Sequence, residues 1–99
     1  MALFMVIAVR FDANDEVDRV RWAQAEGTAN TFIGPVHDVE VNRVVEALAS
    51  GNTVEMRFET PHGAVSGGRL VRKFHPGGIE SVQEEHPSKT RTLKDLPTL

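Results

Sequence analysis

Ninety-nine residues with 11 Lys+Arg against 14 Asp+Glu, 40% apolar side chains and a formal net charge of −3 describe one domain, since a chain of this length buries roughly two-thirds of its unfolded surface and fills a single core. The absence of cysteine excludes disulfides, thiolate nucleophiles and Cys-containing zinc sites, and suits a reducing, cytoplasmic compartment. The apolar start, Met1 to Val9, falls short of the about 20 residues of a membrane span and lacks both a basic leading region and a cleavage site, so it reads as a buried strand and no membrane partner is expected.

In that first strand Leu3, Met5, Ile7, Val9 and Phe11 alternate with Phe4, Val6 and Ala8, and apolar residues on both faces mark a central position in a sheet. The polar run Asp12-Ala13-Asn14-Asp15-Glu16 turns the chain out of the sheet. Residues 17–25, Val-Asp-Arg-Val-Arg-Trp-Ala-Gln-Ala, admit two conformations. As a strand they set Val20 and Trp22 on a face with Asp18 and Gln24, against Arg19 and Arg21. As a helix they would take Asn14 as cap, Asp15 and Glu16 in the first turn and Gly27 as stop. The strand is the favoured of the two. Gly27 to Pro35 reads as a loop whose Phe32 and Ile33 tuck under the core.

Val41, Val44, Val45, Leu48 and Ala49 fall at helical spacing, with Asn42, Arg43 and Glu46 opposite, which predicts a helix over 39–50 with one apolar face. Asp38 is placed as its N-cap, Glu40 beside its positive end, and Gly51 as a left-handed stop. Val54, Met56 and Phe58 then alternate with Glu55, Arg57 and Glu59, the pattern of a strand with one buried and one wet face. Thr60-Pro61-His62-Gly63 makes a turn, and a return strand runs from about Ala64 to Phe74, with Gly67-Gly68 marking a bulge or bend. His75-Pro76-Gly77-Gly78 is a second turn, Ile79 to Gln83 another strand, and from about Glu84 an irregular tail brings Leu93, Leu96 and Leu99 back onto the sheet. The sum is an α+β fold: a curved antiparallel sheet of four or five strands, a roll or partial barrel, packed on one helix.

Taken in order, Ile7-Ala8-Val9-Arg10, the helix Val44-Val45-Glu46-Ala47-Leu48-Ala49-Ser50-Gly51-Asn52, a hairpin, and Thr92-Leu93-Lys94-Asp95-Leu96-Pro97 resemble a family of small bacterial domains of unknown function. Those domains share an opening strand ending in Val-Arg, a helix ending in Gly-Asn and a closing Leu-Pro segment. This chain departs from them at Thr92, where the family has Asn, and in the acidic connection after the first strand. The resemblance implies a bacterial α+β domain with no established activity, and it too favours residues 17–25 as a strand.

Catalysis has little to build on. No G-x-S-x-G elbow, P-loop or G-x-G-x-x-G occurs, so neither a serine nucleophile nor a phosphate cradle is indicated. His37, His62, His75 and His86 sit beside or near Pro and Gly, where turn placement explains them, and no H-E-x-x-H spacing points to a metal. Asp15-Glu16 and Glu84-Glu85 are adjacent pairs whose side chains diverge, unlike an acid–base couple in a cleft. No enzyme activity, cofactor or metal is expected, and a small hydrolase or metal-binding protein ranks third, behind two binding readings.

Two binding readings remain. Residues 1–50 carry 4 basic and 8 acidic groups, residues 51–99 carry 7 and 6, so neither half has the strongly cationic character that phosphate backbones demand. The basic concentration in Arg69, Arg72 and Lys73, with Lys89, Arg91 and Lys94 in the tail and Trp22 and Phe74 as stacking groups, would suit a weak single-stranded nucleic-acid binder. Glu55, Glu59, Glu80, Glu84 and Glu85 are positioned to neutralise it across strands. The favoured expectation is a non-catalytic module for an unknown protein partner or for self-association, with Arg69, Arg72, Lys73 and Trp22 as candidate binding surface.

Overall fold

The computed structural model describes residues 2–26, 31–78, 80–86 and 91–99. In chain order they form β1 (Leu3–Phe11), β2 (Val17–Ala25), β3 (His37–Glu40), α1 (Val41–Ala49), β4 (Thr53–Thr60), β5 (Gly63–Phe74) and β6 (Glu80–Glu84), then a short 3-10 turn, Leu93–Asp95. The strands make one open sheet in the order β3-β2-β1-β4-β5-β6. The α+β class holds, while the expected four or five antiparallel strands in a roll or partial barrel give way to six strands in a mixed, open sheet. β1 is central as its two apolar faces require, and residues 17–25 are the strand that pairs with it.

The mixed character comes from the helix. After β3 the chain crosses one face of the sheet as α1 and re-enters beside β1, so Leu3–Val6 pair in parallel with Thr53–Met56. A helical crossover returns the chain in the direction it left, whereas a tight turn reverses it. The sixth strand, β3, replaces the expected first turn of the helix. Asp38 is drawn into the sheet opposite Arg21, whose Nε donates to Asp38 Oδ1 at 2.8 Å, and Glu40 takes the N-cap position without a side-chain cap bond. At the other end Gly51 adopts φ +86°, its N–H donates to Leu48 O, and the Asn52 N–H donates to Ala47 O. This double bond pattern closes the helix and satisfies carbonyls that would otherwise be orphaned.

In the β4–β5 hairpin, Met56 opposes Gly68 and Arg57 opposes Ser66, leaving Gly67 as the extra residue of a bulge. A Cβ at Gly67 would stand 2.2 Å from Phe58 Cε2, so only glycine lets that ring lie against the bulge. The core forms where α1, the helix-side face of the sheet and the C-terminal segment meet. It joins Val6, Val20, Trp22, Val44, Val54, Met56, Leu70, Val82, Leu93 and Leu96, each such side chain contributing roughly 1.5–3 kcal/mol of burial. The tail leucines reach it through a capping box, in which Thr92 and Asp95 satisfy each other's backbone. Among the described residues, no helix is long and apolar enough to cross a membrane.

Candidate functional site

The basic residues of β5 do not converge. Lys73 and Arg69 lie on one face of the strand and Arg72 on the other with buried Leu70, because successive side chains alternate across a sheet. Arg72 ion-pairs with Glu80 and lies 4.8 Å over the Phe74 ring. Lys73 Nζ reaches Glu16 Oε1 at 2.8 Å, and the other oxygen of Glu16 is 3.5 Å from His75 Nε2. Arg69 is exposed opposite Glu55. Trp22 is buried, stacked on Phe4 with ring centroids 4.4 Å apart, and its indole N–H donates to His37 Nε2 at 3.4 Å. These four residues therefore occupy separate places.

Carboxylates are equally occupied. A cleft of about 480 Å³ lies between the β1–β2 turn, the start of α1 and the β5–β6 turn, and presents Asp12, Glu16, Asp18, Glu80 and His75. Asp12 Oδ1 accepts the Asn14 and Glu16 N–H groups, Asp18 holds Arg10, and Glu16 and Glu80 hold Lys73 and Arg72. Such pairing explains the cluster as a structural one. Among the described residues no group of three or more His, Asp or Glu is arranged to hold a metal. On β3 the hydrogen bond from Arg21 holds the Asp38 carboxyl below its ordinary range, which ties that strand to β2 and makes no cleft.

What remains open is a length of backbone. β1 pairs with β4 over Leu3–Val6 alone. Beyond it the C-terminal segment takes β4's place: Val9 N–H donates to Pro97 O at 3.0 Å and Leu99 N–H to Val9 O at 2.9 Å, with Thr98 in parallel register. β4 and β5 diverge from the sheet at this fork and continue as a two-stranded arm in which Arg57, Phe58, Glu59 and Thr60 oppose Ser66, Val65, Ala64 and Gly63. In an antiparallel ladder alternate residues direct N–H and C=O groups away from the partner. Among the described residues, no strand takes up those groups on the outer side of Arg57–Thr60.

A cleft of about 390 Å³ lies in the fork, lined by apolar Ile7, Ala8, Phe58 and Pro97 and by charged Arg21, Arg57, Glu59 and Asp95. Arg57 is the most constrained of the charges. Its side chain is 16% exposed, with Nη1 3.2 Å from Glu59 Oε1; its guanidinium lies 4.5 Å over the Phe32 ring, and its Nε is buried without a hydrogen-bond partner among the described residues. The sequence shows Arg57-Phe58-Glu59 as ordinary alternation. Only the register reveals that, among the described residues, this stretch has one neighbouring strand instead of two. Comparison of the chain with protein-family models, curated proteins and solved structures finds no match.

Proposed function

We propose that this domain is a non-catalytic interaction module, working in the cytoplasm by receiving an extended protein segment along the outer edge of β4. The observation that carries this reading is the arm beyond Met56, where a charged and partly apolar strand runs beside a cleft and, among the described residues, no strand pairs with its outer backbone groups. Strand addition satisfies such groups while side-chain pockets supply selectivity. Selection of short peptides on the immobilised protein tests it, with binding read by amide exchange. Peptides that slow exchange at those residues of 57–60 whose N–H groups face away from β5 are the expected result. Binders that protect other strands and leave this one unchanged would refute it.

A second reading, weak single-stranded nucleic-acid binding, draws on Phe74, which is 68% exposed at the end of β5 with the Arg72 guanidinium over its ring. Salt separates the two, because phosphate contacts lose affinity steeply as salt rises. Replacing Arg69, Arg72 and Lys73 together by Ala should abolish oligonucleotide binding in the second case and leave peptide binding at β4 unchanged in the first.

A further inference from the structure

Resting on the strand-accepting reading of β4, we propose that the segment received there is the free C-terminal end of another protein, running antiparallel to β4 with its terminal carboxylate in the fork beside Arg57. The groove is blind at that end. Up to Met56 the outer edge of β4 is paired with Leu3–Val6 of β1, and Asp95 and Pro97 line the fork itself, so a strand laid along Arg57–Thr60 cannot run on past Met56 in the sheet. A segment from the middle of a chain would have to turn away at that point, whereas a segment that ends there does not. The cleft of about 390 Å³ among Ile7, Ala8, Phe58 and Pro97 offers a place for the terminal residue, and strand addition combines naturally with capture of a terminal carboxylate.

Charge fixes the direction. A strand antiparallel to β4 brings its C-terminus to Arg57, and a parallel one brings its N-terminus there. Of the two cations at the fork, Arg21 is held by both oxygens of Asp38. Arg57 is seated over the Phe32 ring, its Nε has no hydrogen-bond partner among the described residues, and its ion pair is to Glu59, whose side chain is 72% exposed. A pair with so exposed a partner is weak in water. The Glu59 carboxylate therefore marks where an anion fits beside Arg57, and it can yield that place to one delivered on a paired strand. A terminal ammonium would meet Arg57 as a like charge, and the carboxylates of the fork are engaged, Glu59 by Arg57 and Asp95 by the N–H and hydroxyl of Thr92.

Two libraries of short random peptides, offered to the immobilised wild-type protein, test this: one displayed with a free C-terminus, the other with the same random stretch embedded in a longer chain. Expected are binders from the first library alone. As synthetic free acids they should slow exchange at those residues of 57–60 whose N–H groups face away from β5, and as C-terminal amides they should bind roughly tenfold more weakly, having lost a charge-assisted contact. Glu59→Gln removes the competing carboxylate from an exposed position and should tighten the acid form about threefold, with the amide form unchanged. Arg57→Lys should weaken the acid form, but Arg57 is largely buried, so the Glu59 variant carries the test if that protein loses its fold. Embedded peptides that protect the same amides, acid and amide forms of equal affinity, or a Glu59→Gln protein that binds the acid form no better each overturn the terminal carboxylate and leave the open edge standing. If neither library yields a peptide that protects these amides, the open edge falls as well.

Discussion

β4 pairs with β1 over Thr53–Met56, with β5 joining on the other side from Glu55, and its Val54 and Met56 are closed off from solvent, while over Arg57–Thr60, among the described residues, it pairs with β5 alone and Phe58 is only partly covered. The alternation of apolar and charged residues is the same in both halves. What differs is the neighbour, because the C-terminal segment takes the edge of β1 that β4 would otherwise continue along. Side-chain period reports which face of a strand is buried. It says nothing about whether the strand's two edges are both paired.

The sharpest way to break this comparison is truncation in each half. Met56→Ala removes a fully enclosed side chain and should cost about 2–5 kcal/mol; Phe58→Ala removes more atoms yet should cost less, because the ring is only partly buried. Denaturant unfolding of the two variants decides it, and an equal or larger loss at Phe58 would mean the arm is as sealed as the rest. Next in size is Gly67→Val, whose side chain would strike the Phe58 ring and should cost about 1–3 kcal/mol. Gly68→Ala meets no atom within 4 Å and should suffer only from its positive φ, about 1 kcal/mol. Thermal melts of the pair separate crowding from backbone strain.

Two smaller effects set the arm against β3, the short edge strand at the other end of the sheet. His37 accepts the Trp22 indole N–H through Nε2, while its Nδ1 lies 3.0 Å from Pro35 O, an arrangement that fits the neutral ring with its proton on Nδ1. His37→Phe should cost about 0.5–1.5 kcal/mol and shift the emission of the chain's single tryptophan. Smallest is Asp38. Its folded pKa lies below the ordinary 3.8, so its stabilising contribution is complete above the unfolded value and fades as pH falls through the folded one. Melting temperatures between about pH 5 and pH 2 should therefore fall slightly more steeply for the wild type than for Asp38→Asn, and salt should erase the difference.

Much of the fold was legible in the residues. The doubled apolar faces of Leu3–Phe11 gave a central strand, the helical spacing of Val41, Val44, Val45 and Leu48 gave α1, and Gly67-Gly68 gave the bulge. Leu93 and Leu96 returned to the core as their isolation in a polar tail implied. The misses share a cause, in that each depends on a partner distant in sequence. His37–Glu40 carry an N-cap signal in Asp38, yet Arg21 on β2 claims that carboxylate and pulls the segment into the sheet. The parallel pairing of β1 with β4 follows from where α1 delivers the chain. Of the candidate surface, Arg72 and Lys73 were legible as cations, but their division between two faces and their ion pairs with Glu80 and Glu16 needed the three-dimensional register. Ile79, expected to begin the last strand, lies outside the described residues, and β6 begins at Glu80.

The bridge between Val9 and Thr98 also bears on how the molecule reaches its structure. It joins the earliest strand to a segment made last among those described, so closing it requires an ordered loop that spans nearly all of the intervening chain, a costly step that slows folding in proteins dominated by non-local contacts. Until residues 97–99 are in place, the middle of β1 stands with one side bare. A nascent chain therefore carries this apolar strand half-edged until residues 97–99 have been made, and variants that weaken the seating of Leu96 should show themselves as slower refolding and more aggregation from dilution before they show any change in the finished sheet.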